Sequence, residues 1–225
     1  CLERTDTSGQ RELVLSLAPL PRDDLVPYLT HTTRACPGPW PQQTSEDYLD
    51  SVLDDRLGAS HSAFHTLQRI VTQRRLIGSG RTIRGGYPMV SFTAAPVREL
   101  PGLRCFRTHR AHWDFEPYAI SIRRDVLERR GVLPAIYGGE SVWNDLTESQ
   151  RPFFQFRGDS ADVAGGTRSH DWSIEREWRH LGDLDLSDLQ PDELTVLVPN
   201  AEAARCLQPY SPWPLTLWPA ASEIG

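Results

Sequence analysis

The stretch that decides the fold runs from Trp172 to Arg179 and reads Trp-Ser-Ile-Glu-Arg-Glu-Trp-Arg. Its alternation predicts a β-strand over Trp172–Leu181, because successive side chains of a strand point to opposite faces. One face then carries Trp172, Ile174, Arg176 and Trp178. The other carries Ser173, Glu175, Glu177 and Arg179. The first face is mostly apolar and is expected to pack against a core.

The second face places two carboxylates side by side. Glu175 and Glu177 are two residues apart, which separates their Cα atoms by roughly 7 Å in a strand. Neighbouring anions are costly unless a cation, a hydrogen-bond donor or a substrate hydroxyl satisfies them, and Arg179 is a cation on the same face. The alternative interpretation is an edge strand with its charges in water, since Glu-x-Glu alone is common.

Composition excludes several kinds of chemistry. The 225 residues include 24 basic residues, all of them arginine, and 30 acidic ones, for a formal charge of −6. Without lysine there is no phosphate-loop lysine, no Schiff base and no pyridoxal-phosphate anchor. The mild acidity argues against a broad electrostatic grip on nucleic acid, but not against a local basic groove.

Location and processing are predicted from what the sequence lacks. It contains no run of 18 apolar residues, so we expect no membrane association. Its four cysteines are scattered and form no CxxC pair, which favours reduced thiols and a cytoplasmic protein. The sequence begins at Cys1 without an initiator methionine or a signal pattern, so we expect a fragment or a processed chain.

Local patterns predict an α+β protein in which residues 1–225 form one domain. Helices are expected at Ser45–Leu57, with Ser45 as the N-cap, and at Ser60–Arg75, Arg124–Arg130 and Ala201–Leu207. Strands are expected at Arg11–Leu17, Asp24–Thr30, Tyr87–Thr93, Pro117–Ile122, Val132–Tyr137, Leu194–Val198 and Leu215–Trp218, besides the strand that contains Glu177. Residues 35–47 form a proline-rich loop, and residues 158–170 are predicted to be a loop.

Two further polar positions lie at predicted strand ends upstream of the Glu pair. His31 follows a predicted extended segment, and Ser91-Phe92-Thr93 closes another. The order is His, Ser-x-Thr and Glu-x-Glu, with 60 residues between the first two and 84 or 86 to the glutamates. This arrangement resembles the ADP-ribosyltransferase superfamily. The resemblance implies two small packed β-sheets with flanking helices, which form a cleft that holds NAD.

A closer resemblance covers Met89 to about Leu181. The succession Val-Ser-Phe-Thr-x-x-Pro, Pro-Tyr-Ala-Ile-Ser-Ile, Gly-Val-Leu-Pro-Ala-Ile-Tyr and Glu-Arg-Glu-Trp-Arg is similar to the AbiGi-type abortive-infection family of bacterial defence proteins. Ser91 and Thr93 replace the Cys and Asp usual in that family, and Ala119 replaces a Gly. The first 24 and last 25 residues have no counterpart in it. A role in bacterial anti-phage defence or a toxin system is therefore expected.

The resemblance implies a role for each site residue. Glu177 would stabilise the oxocarbenium-like ribose, and Glu175 would orient or deprotonate the acceptor. His31 would bind a ribose hydroxyl, with Thr32 beside it, while Ser91 would position Glu177 and Thr93 would line the site. Tyr118 or Tyr137 would stack on nicotinamide, and Arg81 and Arg84 would meet the pyrophosphate. NAD is thus the expected substrate and partner, and no metal is expected.

The sequence is compatible with several acceptors and with two rival functions. The acceptor is a nucleic acid or a protein, or water in a glycohydrolase, and a cognate antitoxin or regulatory domain is a further expected partner. One rival hypothesis is a non-catalytic binding or antitoxin-like module with the same fold. The other is a metal-independent RNA-acting enzyme that uses His31, His109 and arginines. The Arg-rich aromatic stretch 104–113 could contact nucleic acid by stacking.

Overall fold

The fold is taken from a computed structural model. It describes residues 4–5, 11–12, 15–22, 25–36, 38–40, 43–53, 61–81, 83–107, 112–157 and 176–218. Within these ranges the helices are α1 Ser45–Leu53, α2 Ala63–Gln73, α3 Leu100–Leu103, α4 Arg124–Arg129, α5 Glu140–Asp145 and α6 Ala201–Leu207. A 3₁₀ turn lies at Arg151–Phe153.

The strands of the same ranges are short. They are β1 Arg4–Thr5, β2 Arg11–Glu12, β3 Tyr28–Thr32, β4 Arg75–Leu76, β5 Met89–Thr93, β6 Cys105–Arg107, β7 His112–Asp114, β8 Ala119–Arg123, β9 Leu133–Pro134, β10 Ile136–Gly138, β11 Phe154–Phe156, β12 Glu177–Leu181, β13 Leu184–Asp185, β14 Leu194–Val198 and β15 Leu215–Leu217.

One sheet dominates the described part of the chain. Its seven strands follow the order β15-β14-β8-β3-β5-β12-β9. Neighbours are antiparallel except β14 and β15, which are parallel. The pairs β1–β2, β4–β13 and β6–β7 are antiparallel, and β10–β11 is parallel. Strands and helices in one chain confirm the predicted α+β class.

The main core lies on one face of this sheet. Leu29, Phe92 and Ile120 come from adjacent strands and belong to one buried cluster. Helix α2 covers that cluster with Leu67 and Val71, because these positions recur at helical spacing on one face. The helix begins after Ser62, whose hydroxyl accepts a hydrogen bond from the His65 amide at 3.3 Å.

The sheet has a weak point between β3 and β5. These strands share a single residue pair, Thr30 opposite Thr93, whereas β3 and β8 share five. The expected two packed sheets are therefore not separate here: two groups of strands, β15-β14-β8-β3 and β5-β12-β9, join through this one pair. Beyond Thr30 the strands stop pairing, which leaves room for side chains between them.

Several boundaries differ from the sequence-based predictions. Helix α1 begins at Ser45, so it occupies the last residues of the predicted 35–47 loop. Its cap is Thr44, not Ser45, because the Thr44 hydroxyl accepts from the Asp47 amide at 3.0 Å. The strand predicted over Val132–Tyr137 is split into β9 and β10, because β9 pairs with β12 whereas β10 pairs with β11. The 158–170 loop lies outside the described residues.

Candidate functional site

The candidate site lies across four central strands of the sheet, near the edge where β12 begins. Strand β12 begins at Glu177 opposite Thr93, the last residue of β5. Thr93 in turn lies opposite Thr30 of β3, which lies opposite Ser121 of β8. Because neighbouring strands are antiparallel, β3 ends and β8 begins toward the other edge of the sheet. The register brings together residues that are far apart in the chain.

Glu177 is the centre of the site. Its side chain is 17% exposed. The Oε1 atom accepts from the Ser91 hydroxyl at 2.8 Å and from Nε of Arg179 at 2.9 Å, and Oε2 accepts from Nη2 of Arg179 at 3.1 Å. A carboxylate offers about four lone-pair positions, so these bonds leave one on Oε2. The group is held rigidly and can still accept from a ligand hydroxyl.

Arg179 is the main partner of that carboxylate. Its side chain is 1% exposed, and all five guanidinium N–H groups have acceptors. Two go to Glu177, one to the side-chain oxygen of Gln155, and the remaining two to main-chain carbonyls, of Phe154 at 2.6 Å and Pro152 at 3.4 Å. A buried guanidinium is tolerated only with such complete pairing. The interpretation of a solvated edge strand is therefore wrong, and β12 lies between β5 and β9.

A wall beside Glu177 is built by β10 and β11. These strands pair in parallel, with Tyr137 opposite Gln155. The Tyr137 hydroxyl accepts a hydrogen bond from the Glu177 amide at 3.2 Å. Tyr137 therefore fixes the start of β12, a different contact from the stacking that we predicted for it.

His31 lies at the gap between β3 and β5. Its Nδ1 atom is 2.8 Å from the Ser91 carbonyl oxygen. A carbonyl only accepts, so Nδ1 carries the hydrogen, and Nε2 of the neutral ring is an acceptor. Burial lowers the pKa of His31 to about 4; the bond to the Ser91 carbonyl opposes this shift and the charge of Arg34 adds to it. The imidazole is thus neutral at pH 7.

Three other predicted residues make different contacts in the fold. Thr93 is its direct cross-strand neighbour, and its hydroxyl accepts from the Ala95 amide at 3.0 Å. Thr32 lies on the far side of β3, opposite Ala119. The ring of Tyr118 packs edge-on against Phe64 of α2, with a centroid distance of 5.9 Å. Burial raises the pKa of Tyr118, with smaller contributions from Glu116 and Glu202, so this tyrosine belongs to the packing between α2 and β8.

The second carboxylate of the predicted pair, Glu175, lies outside the described residues, as do the other residues from 158 onward that precede Arg176. Arg176 has a positive φ of 45° and its carbonyl accepts from the Ala94 amide at 3.0 Å. Of the predicted strand over Trp172–Leu181, the described part is extended from Glu177 onward, after this left-handed residue.

Other predicted ligand groups have partners of their own. Arg84 pairs with both oxygens of Glu140, at 2.6 and 3.0 Å, and its guanidinium stacks over the Trp143 ring at 4.2 Å. Among the described residues, no group of three or more His, Cys, Asp or Glu side chains could hold a metal ion.

Sequence reasoning missed the support of the site. Arg179 was noted only as a nearby cation, yet it is the main partner of Glu177. Gln155 and the carbonyls of Pro152 and Phe154 come from a stretch whose pattern was ambiguous. A signal existed for Arg179, since it follows Glu177 by two residues on the same face of a strand. No local pattern pointed to Gln155.

Comparisons with models of protein families, with curated proteins and with solved structures found no match to this chain. No helix of the described residues is long and apolar enough to cross a membrane.

Proposed function

We propose that this protein cleaves the nicotinamide glycosidic bond of NAD, as an ADP-ribosyltransferase or an NAD glycohydrolase. One observation carries the proposal: the Ser91 hydroxyl and Arg179 hold the Glu177 carboxylate at the sheet edge, with one acceptor position left over. The order His31, Ser91 and Glu177 matches that of the superfamily which the sequence resembles. The gap in pairing after Thr30 is compatible with its divided sheet.

The reaction needs a fixed acceptor beside a developing cation. The bond between ribose C1 and nicotinamide breaks, and nicotinamide leaves with the electron pair. The ribose passes through an oxocarbenium-like state, which a carboxylate hydrogen-bonded to the 2′-hydroxyl stabilises. Glu177 has the free Oε2 position for that hydroxyl. Arg179 offsets part of its charge but removes its rotational freedom, so the carboxylate needs no reorganisation during the reaction.

His31 fits the role of a neutral ribose ligand. Because Nδ1 donates to the Ser91 carbonyl, Nε2 is the acceptor for a ribose hydroxyl. The Ser91 carbonyl contacts His31 and the Ser91 hydroxyl contacts Glu177. The two side chains leave opposite faces of the sheet, with the His31 ring 5.9 Å from that of Phe92. Glu175 is proposed as the group that takes the proton of the acceptor nucleophile when that nucleophile adds to C1.

The test is calorimetric titration of NAD together with a nicotinamide-release assay. Wild-type protein is expected to bind NAD and release nicotinamide, and Glu177→Gln is expected to bind NAD but to release nicotinamide at least a hundredfold more slowly. The matched control is Glu128→Gln. Glu128 is an exposed glutamate of α4 that pairs with Arg124 at 3.2 Å.

Because Glu177→Gln also breaks a buried pair, Ser91→Ala serves as the second variant. It removes one hydrogen bond and leaves the Arg179 pair intact. Absence of both NAD binding and nicotinamide release in the folded wild type overturns the proposal. A fully active Glu177→Gln protein overturns the role of Glu177 and favours the RNA-acting alternative.

A non-catalytic module is the second candidate, and one observation favours it. The completely paired Arg179 also has the properties of a structural ion pair, which would hold the sheet together whatever the protein does. Retained folding without any NAD affinity would support this candidate. In either case a part in anti-phage defence and an antitoxin-like partner are proposals that follow from the sequence resemblance, and a cytoplasmic location is a proposal that follows from the scattered cysteines.

A further inference from the structure

The antiparallel pair β6–β7 presents two aromatic rings to solvent. Phe106 and Trp113 are cross-strand partners, so they lie on the same face of the pair. Their side chains are 47% and 41% exposed, and their ring centroids are 5.4 Å apart. A single exposed aromatic residue is ordinary, but two adjoining rings form a stacking surface.

A cation extends this surface. The guanidinium of Arg104 lies 4.6 Å from the centroid of the Trp113 ring. Arg104 itself is exposed and follows α3 directly. A ring pair with a guanidinium alongside is complementary to a nucleobase with its phosphate, because bases stack on aromatic faces and phosphates accept from arginine.

The pair is anchored on a buried cluster. Its connection leaves the sheet after Thr93, at the edge where β12 begins, and re-enters it at Ala119, toward the other edge. Leu103 and Phe115 flank the pair and pack on the buried cluster that includes Ala95. Phe115 has a positive φ of 55°, which this packing holds. The rings therefore stand on a fixed base.

Further arginines lie in the segments that adjoin the central strands. Arg34 follows β3, Arg98 follows β5 and Arg176 precedes β12, and all three are exposed. Carboxylates also occur there, namely Glu99, Asp114, Glu116 and Glu202. The net attraction for phosphates is consequently modest, and stacking has to provide most of the binding free energy.

We infer that the Phe106–Trp113 face binds single-stranded nucleic acid. The inference rests on the proposed transferase function only for its consequence, that the strand is the acceptor of ADP-ribose. Two aromatic rings bury at most about 500 Å², whereas a stable protein interface needs roughly 1,000 Å². The surface is therefore large enough for stacked bases and too small for a folded protein partner. Bases inside a duplex are stacked on each other and do not reach such rings.

The test uses fluorescence anisotropy with labelled oligo-dT and oligo-rU of about a dozen nucleotides, a length within the usual range of single-strand sites. Wild-type protein is expected to bind both or one of them, and a duplex of equal length at least tenfold more weakly. The Phe106→Ala/Trp113→Ala variant is expected to lose about a hundredfold in affinity. Trp113→Phe keeps a ring and should retain binding within a few fold. Comparison of the two oligonucleotides tells whether DNA or RNA is preferred.

The matched control is Tyr210→Ala. Tyr210 is an aromatic residue with 51% exposure. It lies in the turn between α6 and β15, outside the segment that contains β6 and β7. This variant should bind like wild type. Arg104→Ala should reduce the slope of log affinity against log salt by about one.

Three results would overturn the inference: no single-strand binding at millimolar protein, equal binding by the double variant, or a preference for duplex. Failure of the proposed transferase function gives a different result from failure of this inference. Nicotinamide release to water, measured without oligonucleotide, should be the same in the double variant and the wild type. Binding of the strand without any nicotinamide release leaves this surface standing and rejects the transferase, whereas release without binding rejects the surface alone.

Discussion

The guanidinium of Arg179 donates to both carboxylate oxygens of Glu177, at 2.9 and 3.1 Å, from a position that is 1% exposed. Both residues lie on one strand, two positions apart, and the remaining donors of Arg179 hold the segment 152–155. The carboxylate at the sheet edge is therefore tied to a wall of the site. Stability and the proposed chemistry depend on the same pair.

Replacing Arg179 should destabilise the fold strongly. Arg179→Met leaves the Glu177 carboxylate half-buried without its cation and two carbonyls without donors, so we expect the free energy of unfolding to fall by about 3–5 kcal/mol. Urea denaturation followed by circular dichroism measures this. Arg129→Met is the control, because Arg129 forms an exposed pair with Asp125 at 3.0 Å that contributes less than about 1 kcal/mol. A similar small loss in both variants would contradict the prediction.

Replacing Ser91 should slow the reaction more than it weakens binding. The Ser91 hydroxyl orients Glu177 through a charge-assisted bond of 2.8 Å, and such bonds contribute about 1.5–3 kcal/mol. We expect Ser91→Ala to lower kcat for nicotinamide release by about 10- to 100-fold, with a smaller change in KM for NAD. Ser62→Ala, which removes the cap of α2, should lower stability and leave kcat unchanged. A raised KM with normal kcat would mean that Ser91 only binds substrate.

Stability should depend on pH through His31. Its pKa is about 4 in the folded protein and about 6.5 in the unfolded chain, so the unfolded state binds a proton first as pH falls. Stability is then highest above pH 6.5 and declines between pH 6.5 and 4. His31→Gln, which keeps a donor for the Ser91 carbonyl, should flatten this decline in thermal unfolding measured from pH 7 to pH 4.

The control for that measurement is His180→Gln, a histidine of β12 whose ring lies 3.4 Å from the Gly182 carbonyl. It should retain the wild-type decline. If His31→Gln and wild type lose stability in parallel as pH falls, the carboxylates of the protein, and not His31, set its acid sensitivity.

The junction of the sheet should be sensitive to one hydroxyl pair. The side chains of Thr30 and Ser121 share a buried hydrogen bond of 2.9 Å beside the single residue pair that joins β3 to β5. Thr30→Val leaves the Ser121 hydroxyl without that partner, so we expect a loss of about 1–3 kcal/mol. The double variant Thr30→Val/Ser121→Ala should recover part of it. A double-mutant cycle measures the coupling, and simple additivity of the two single changes would refute it.

Some elements were predictable because their signal is local. Strand Leu194–Val198 and helix Ala201–Leu207 have the bounds that their periodicity indicates, and Asn200 caps that helix by accepting from the Ala203 amide at 2.9 Å. The hydrogen bond from Ser91 to Glu177 was expected from the resemblance, and its geometry is present. The functions of these residues stay predictions until NAD binding is measured.

The sequence by itself determined the α+β class and most strand positions, because alternation and helical spacing depend on neighbours within a few positions. The site residues His31, Ser91 and Glu177 are predicted from the resemblance of their order to a known superfamily. Only the tertiary structure decided that Arg179 is buried, that Gln155 and two carbonyls complete its pairing, and that Tyr118 packs against α2. Those contacts join residues more than 20 positions apart. Their partners are chosen by how strands and helices pack, and no local pattern records that choice.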